Sequence, residues 1–177
     1  MANFMINIRK VEQNDAKQYI DLVNLVWRIT YAHIFSEDVF IERENSVNER
    51  IKAFDAGKMN DDKTICFVAV DDDNIVGVML GTINSDYDYF KEKDYADLCV
   101  LYILPDYQGR GIASRFKQLF LDFIKQKGYK KYVIGVLKEN HKARKIYEKW
   151  GGKLDNYESY ITKLGVNYDE VFYTYEI

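Results

Sequence analysis

The sequence predicts one α/β domain over residues 1–177, a central sheet with helices on both faces. Three observations carry that reading. Runs with strand character alternate with runs of helical period in the order β, α, α, β, β, β, α, β, α, β, β, which calls for a layered sheet-and-helix architecture. A buried strand, a glycine-bearing turn and an amphipathic helix follow one another without a break between Asp97 and Phe120. The chain has 177 residues, 47% of them hydrophobic, enough for a single domain with a proper core.

Taken in order, Phe4 to Lys10 alternates loosely and reads as a first strand, and Asn14 is placed to cap the helix that follows. The apolar stripe of that helix runs through Tyr19, Leu22, Val23, Val26 and Trp27. An aromatic, irregular stretch from Tyr31 to Phe35 comes next, then Ser36 or Asp38 as the cap of a short turn. A second helix is expected over Asn45 to Phe54, ending at Gly57. Thr64 to Val70 and Ile75 to Ile83 are β-rich runs joined by the turn Asp71-Asp72-Asp73-Asn74, a hairpin signal. Asn84 to Asp94 is charged and tyrosine-rich and reads as a loop.

Leu98 to Leu104 is the fourth strand. Pro105, the only proline, ends it by removing a backbone donor. Gln108-Gly109-Arg110-Gly111-Ile112-Ala113 then leads into a helix whose stripe is Ile112, Phe116, Leu119, Phe120 and Phe123, and Gly128 stops that helix. A strand at Tyr132 to Leu137 and a helix at Asn140 to Trp150 follow; Ala143, Ile146, Tyr147 and Trp150 share one helix face and Gly151 ends it. Two last strands are expected around Tyr157 to Ile161 and Glu170 to Glu176, with Asn167 and Asp169 in the connection.

The turn at Gln108 to Ser114 is suited to an anion. The first amides of a helix lack intrahelical partners and the macrodipole adds positive potential there. Gly109 and Gly111 allow close approach of a ligand, and Arg110 adds a fixed charge. A tight strand-to-helix turn with an exposed arginine is the competing reading. The turn is not a Walker loop, because no Gly-Lys-[Ser/Thr] follows. Nor is it a dinucleotide fingerprint, because Ser114 stands where a third glycine belongs.

Bulk properties exclude several classes. A formal charge of -3 without a basic block argues against nucleic-acid binding. Cys66 and Cys99 lie in expected strands, outside any Cys-x-x-Cys or Cys/His cluster, so both read as buried free thiols and no metal site is indicated. The start MANFMINIRK lacks the apolar core of a signal peptide, and no apolar run approaches the length of a membrane span. A cytoplasmic protein without membrane partners is expected.

Two motifs carry a family resemblance. Gln108, Gly111 and Ala113 occupy the fixed positions of [Gln/Arg]-x-x-Gly-x-[Gly/Ala], and Asn140, Ala143, Tyr147 and Gly151 those of Asn-x-x-Ala-x-x-x-Tyr-x-x-x-Gly, one helix and one strand later. Together they resemble the diagnostic segments of the GCN5-related N-acetyltransferases. The N-terminal helix with Trp27 and Tyr31, and the end with Gly165 and Glu170-Val171-Phe172-Tyr173, look like a bacterial branch acting on small molecules or peptides. One departure is Gly152, where an aromatic residue commonly stands; it suggests a looser entry to the sixth strand.

The resemblance implies a mixed, mainly antiparallel sheet splayed between strands 4 and 5, with acetyl-CoA as cosubstrate and no metal. Leu101, Tyr102 and Ile103 would bond the pantetheine arm along their backbone. Gly109, Arg110, Gly111, Ile112, Ala113 and Ser114, after Gln108, would hold the pyrophosphate, and Asn140 would reach the cofactor from across the split. A neutral amine would attack the thioester through a tetrahedral oxyanion stabilised by a backbone N–H near the end of the fourth strand, and Tyr147 would protonate the leaving thiolate. Read alone, Tyr147 is a core residue; its register with Asn140 and Ala143 assigns the role.

Asp97 is the candidate base, against a reading as an exposed strand-end carboxylate. Trp27 and Tyr31 are candidates for the acceptor pocket, with core packing as the alternative for Trp27. His33 lies near the expected acceptor side and His141 reads as solvated. Asp86, Tyr87, Asp88 and Tyr89 form either a pocket mouth or a solvated loop. A non-catalytic acyl-CoA-binding module on the same fold, and a nucleotide binder using the Gly109–Gly111 turn, are the competing functions. A homodimer is a family-level expectation.

Overall fold

The computed structural model describes residues 6–177. Seven strands form one sheet in the order β1-β2-β3-β4-β5-β7-β6. They are β1 (Asn7–Lys10), β2 (Thr64–Asp71), β3 (Asn74–Thr82), β4 (Ala96–Ile103), β5 (Lys131–Leu137), β6 (Lys153–Lys163) and β7 (Val166–Glu176). The helices are α1 (Ala16–Tyr31), α2 (Glu37–Asn45), α3 (Val47–Ala53), α4 (Asp88–Lys91), α5 (Ile112–Gln126) and α6 (His141–Lys149). All strand pairs are antiparallel except β4 with β5.

Two cores sandwich the sheet. On one face Ile112, Phe116, Phe120 and Ile124 of α5 pack on Met79, Ala96, Leu98, Tyr132 and Ile134. Phe120 needs the bare backbone of Gly81 beneath it, since a Cβ there would collide with the ring. On the other face Tyr19, Leu22, Val23 and Val26 of α1 cover Cys66, Val68, Ile75 and Val78. The apolar stripes read from the sequence therefore face inward, as the burial of apolar area requires.

The sheet divides at its centre. β4 and β5 pair only at Ala96–Tyr132 and Asp97–Val133, after which β4 continues without a β5 partner. A register shift against β3 between Leu80 and Gly81 leaves Cys99 as the extra residue on β4. Such a bulge increases local twist and turns a strand away from its neighbour.

Several boundaries differ from the sequence reading. Within the expected Phe4–Lys10 strand, Phe4 and Met5 lie outside the described residues and β1 begins at Asn7. Asn14 does not cap α1: a 3-10 turn at Gln13–Asp15 precedes the helix, and Asp15 instead accepts from Arg9 at 2.6 and 2.8 Å and from the Glu12 amide at 2.8 Å. The helix expected over 45–54 is α3, Val47–Ala53, and the short turn expected at Ser36 or Asp38 is instead the start of α2, which runs to Asn45. Phe90 drives a short helix inside the expected 84–94 loop, because its fully buried ring packs on Phe172 and Val133. The last two strands are longer than expected and take Asn167 and Asp169 into β7. Cys66 is buried, but Cys99 is exposed.

Gly152 does not loosen the entry to β6. Tyr175 of β7 fills the space where a side chain would go: a Cβ on Gly152 would lie 2.6 Å from its hydroxyl. That hydroxyl donates to the Tyr147 carbonyl at 2.9 Å, and the Gly152 amide donates to the same oxygen at 3.0 Å.

Candidate active site

The split between β4 and β5 opens a cleft of about 490 Å³. Its floor is β4 from Leu98 to Ile103, its far wall is Ile134, Gly135 and Val136 of β5, and one end is the turn before α5. Of the residues singled out in the sequence, Leu101, Tyr102, Ile103, Gln108, Gly109, Gly111, Ile112, Ala113, Ser114, Asn140, Tyr147 and Tyr31 line this one cavity. Arg110, Asp97 and Trp27 do not line it.

Each part has a local cause. Gly109 and Gly111 hold φ of 76° and 80°, the left-handed region where a Cβ is disfavoured, and a Cβ built on either would meet nothing within 4 Å. Gly111 is the N-cap of α5 and makes no side-chain capping bond. The first α5 amides thus stand at an open end, an arrangement that suits an anion. Gln108 bridges the two sides: its Nε2 donates to the Ile103 carbonyl at 3.1 Å, and Lys142 Nζ donates to its Oε1 at 3.1 Å. Lys142 thus brings a cation to this end of the cleft, a residue the sequence does not single out. Arg110 is exposed, its guanidinium 4.9 Å from the Tyr107 ring centre.

Along the other wall, Asn140 is buried and caps α6, its Oδ1 accepting from the Ala143 amide at 3.2 Å. The apolar face of α6 is shared between the core and the cleft: Ala143, Tyr147 and Trp150 pack against the core beneath α5 and also line the cavity. Ala143, Ile146, Tyr147 and Trp150 all look into the cleft, and Ile146 is 41% exposed. An amphipathic helix with its apolar side toward a cavity has surface to offer a ligand. Burial holds the Tyr147 phenol well above its ordinary range, so it stays protonated at neutral pH.

Asp97 marks the vertex of the split. It is 4% exposed, which removes the reading as an exposed carboxylate, and its Oδ2 accepts from Ser85 Oγ at 2.7 Å. Burial raises its pKa to about 6, against the lowering effect of the Ser85 bond. On the same side Tyr87 donates to Glu170 Oε2 at 2.9 Å, and burial raises the Glu170 carboxyl too. Glu170 sits 83 residues from Tyr87 in the chain, so no local pattern brings the two together.

Tyr31 lines the cleft, whereas Trp27 reaches it only through Tyr102. Trp27 Nε1 donates to the Tyr102 hydroxyl at 3.0 Å, and its ring stacks on Phe35 at 5.4 Å. His33 and His141 line a smaller depression of about 280 Å³ beside the cleft. Among the described residues, no group of three or more His, Cys, Asp or Glu is placed to hold a metal, and no helix is long and apolar enough to cross a membrane.

Comparison with known proteins places this geometry. The model of the Acetyltransferase (GNAT) family matches residues 21–152, most of the chain, and the chain belongs to that family. A curated relative, N-alpha-acetyltransferase 30 of Schizosaccharomyces pombe, is 29% identical over 92 residues, 48% of this chain and 55% of that protein. The match thus spans little more than half of that relative's length.

The fold is shared with PaiA N-acetyltransferase from Thermoplasma acidophilum, solved with coenzyme A (TM-score 0.69, 21% identity, 97% of this chain and 99% of that one). It is also shared with yncA from Salmonella typhimurium, solved with its cofactor acetyl-CoA (TM-score 0.64, 15% identity, 97% of this chain and 93% of that one).

Proposed function

We propose that the chain works as one cytoplasmic acetyltransferase domain, moving the acetyl group of acetyl-CoA to an amine of a small molecule or peptide. The observation that carries this is the meeting, in one cleft, of the unpaired β4 edge, the open glycine turn and the apolar face of α6. Membership of the family, and the coenzyme A and acetyl-CoA found with the two structural neighbours, support the same donor here.

The residues present fit such a molecule. The β4 backbone from Leu101 to Ile103 has no β5 partner and offers strand-like hydrogen bonds to an extended arm. The amides from Gly109 to Ser114, with Lys142 nearby, suit a pyrophosphate. The thioester would supply the electrophilic carbonyl. Tyr147, kept protonated by burial, has the proton to give to a leaving thiolate. Asp97, with its pKa raised to about 6, is ionised at neutral pH and poised to receive the ammonium proton through water, as it does not itself line the cleft. Backbone N–H groups of the unpaired β4 edge are the candidates for stabilising the developing oxyanion.

The test is release of free thiol from acetyl-CoA across a panel of amines. Turnover with at least one amine is expected. Tight acetyl-CoA binding with no transfer to any amine would support the alternative, a non-catalytic acyl-CoA-binding module.

A further inference from the structure

The glycine turn before α5 is held from a hairpin outside the cleft. β4 ends at Ile103, and the chain reaches Gln108 through Leu104 and a 3-10 turn at Pro105–Tyr107. The turn end of the β2–β3 hairpin grips this segment twice: the Leu104 amide donates to the Val76 carbonyl at 2.9 Å, and the Tyr107 hydroxyl donates to Asp71 Oδ2 at 2.7 Å. Asp71 and Tyr107 stand 36 residues apart in the chain.

Both grips have a local cause. Asp72 and Asp73 hold φ of 43° and 65°, the left-handed pair that a two-residue hairpin turn requires, and Asp71 pairs with Asn74 across it. The β2–β3 register shifts between Ala69 and Val70, which leaves Val76 as the extra residue on β3. A bulge re-aims the groups beside it, and the Val76 carbonyl is the one that takes the Leu104 amide. Asp71 is only 8% exposed, so its carboxylate has lost most of its water and needs a donor such as the phenol.

The Asp71–Tyr107 bond therefore ties the hairpin to the turn. Tyr107 is followed at once by Gln108, Gly109, Arg110 and Gly111. Its ring packs against the core beneath α5 and lies 4.9 Å from the Arg110 guanidinium. Gly109 and Gly111 have no Cβ to restrict them, and a Cβ built on either would meet nothing within 4 Å. Glycines lose more freedom on ordering than other residues, so the shape of this turn has to be imposed by its flanks.

We propose that Asp71 is a positioning residue for the anion-binding turn: by holding Tyr107 it sets Gln108 to Gly111 in the shape that receives the pyrophosphate of the acetyl donor. The inference rests on the acetyltransferase reading above. Asp71 does not line the cleft, so its effect is to order the turn before the donor arrives, which lowers the cost of binding.

The test runs the thiol-release assay with two donors, acetyl-CoA and S-acetylpantetheine, which lacks the pyrophosphate. Tyr107→Phe and Asp71→Ala each remove one side of the bond. Each should raise KM for acetyl-CoA by about 5- to 20-fold, part of the worth of a hydrogen bond to a charged group, with the loss falling on KM rather than kcat. The double variant should lose no more than either single one. Asp71→Asn keeps an oxygen acceptor and should recover most of the affinity. The preference for acetyl-CoA over S-acetylpantetheine in kcat/KM should narrow in Tyr107→Phe and Asp71→Ala. Should Asp71→Ala fail to fold, Tyr107→Phe, which removes a single oxygen, decides the matter. An unchanged KM for acetyl-CoA, additive losses in the double variant, or an equal relative loss with both donors would overturn the positioning role. Failure of the wild type to bind acetyl-CoA would instead remove the acetyltransferase reading beneath it.

Discussion

Asp97 and Val133 are the last residues at which β4 and β5 face each other as partners. One residue later the strands have parted, and the space between them is the cleft. The buried carboxylate of Asp97 is thus tied to the point where the sheet opens, with Ser85 as its hydrogen-bond donor.

That position has a measurable cost. In the folded chain the Asp97 pKa is about 6, against an ordinary value of 3.8, so the native state holds its proton more tightly than the unfolded chain. Between pH 4 and 6 the unfolded state loses this proton first, and stability falls as pH rises; above 6 the loss is complete, up to about 3 kcal/mol. Asp97→Asn should therefore melt higher than wild type at pH 7 and lose that part of the pH dependence. It should also lose an ionisation near pH 6 from the rate profile. Melts at pH 4 and 7 with a pH–rate profile check this; unchanged curves would remove Asp97 as a base.

Tyr147→Phe keeps the ring that lines the cleft and removes the proton. Acetyl transfer should fall by about 100-fold, the lower range for general acid catalysis, with acetyl-CoA affinity little changed. Steady-state kinetics beside a binding titration separates the two effects. A rate equal to wild type would place the phenol outside the chemistry.

Gly111→Ala puts a methyl group on a residue at φ 80°, with open cleft in front of it. The left-handed backbone should cost about 1–2 kcal/mol, lowering Tm by several degrees in a domain of this size. The methyl would also stand between the turn and an approaching phosphate. We expect acetyl-CoA affinity to fall by about tenfold, measured by titration on the folded variant.

The parts legible in the sequence are those with local signatures. Gln108 to Ala113 and Asn140 to Gly151 each sit within one turn-and-helix unit, and in the fold Gln108, Gly111, Ala113, Asn140, Ala143 and Tyr147 line one cleft. The stripes of α1 and α5 were readable because 3.6-residue periodicity is local. Contacts across the fold were not. Nothing near Glu170 announces Tyr87, and nothing near Gly152 announces that Tyr175 will fill its place. The α6 stripe is one face in the fold as well, yet periodicity cannot tell that this face packs on the core and lines a cavity at once.

The central claim is that the cleft between β4 and β5 receives acetyl-CoA. Calorimetric titration of the folded protein with acetyl-CoA, with ATP and NADPH as controls, tests it most directly. Saturable binding of acetyl-CoA that exceeds both controls is predicted. No binding, or a preference for either nucleotide, would contradict the account and leave the turn from Gln108 to Ala113 in need of a different ligand.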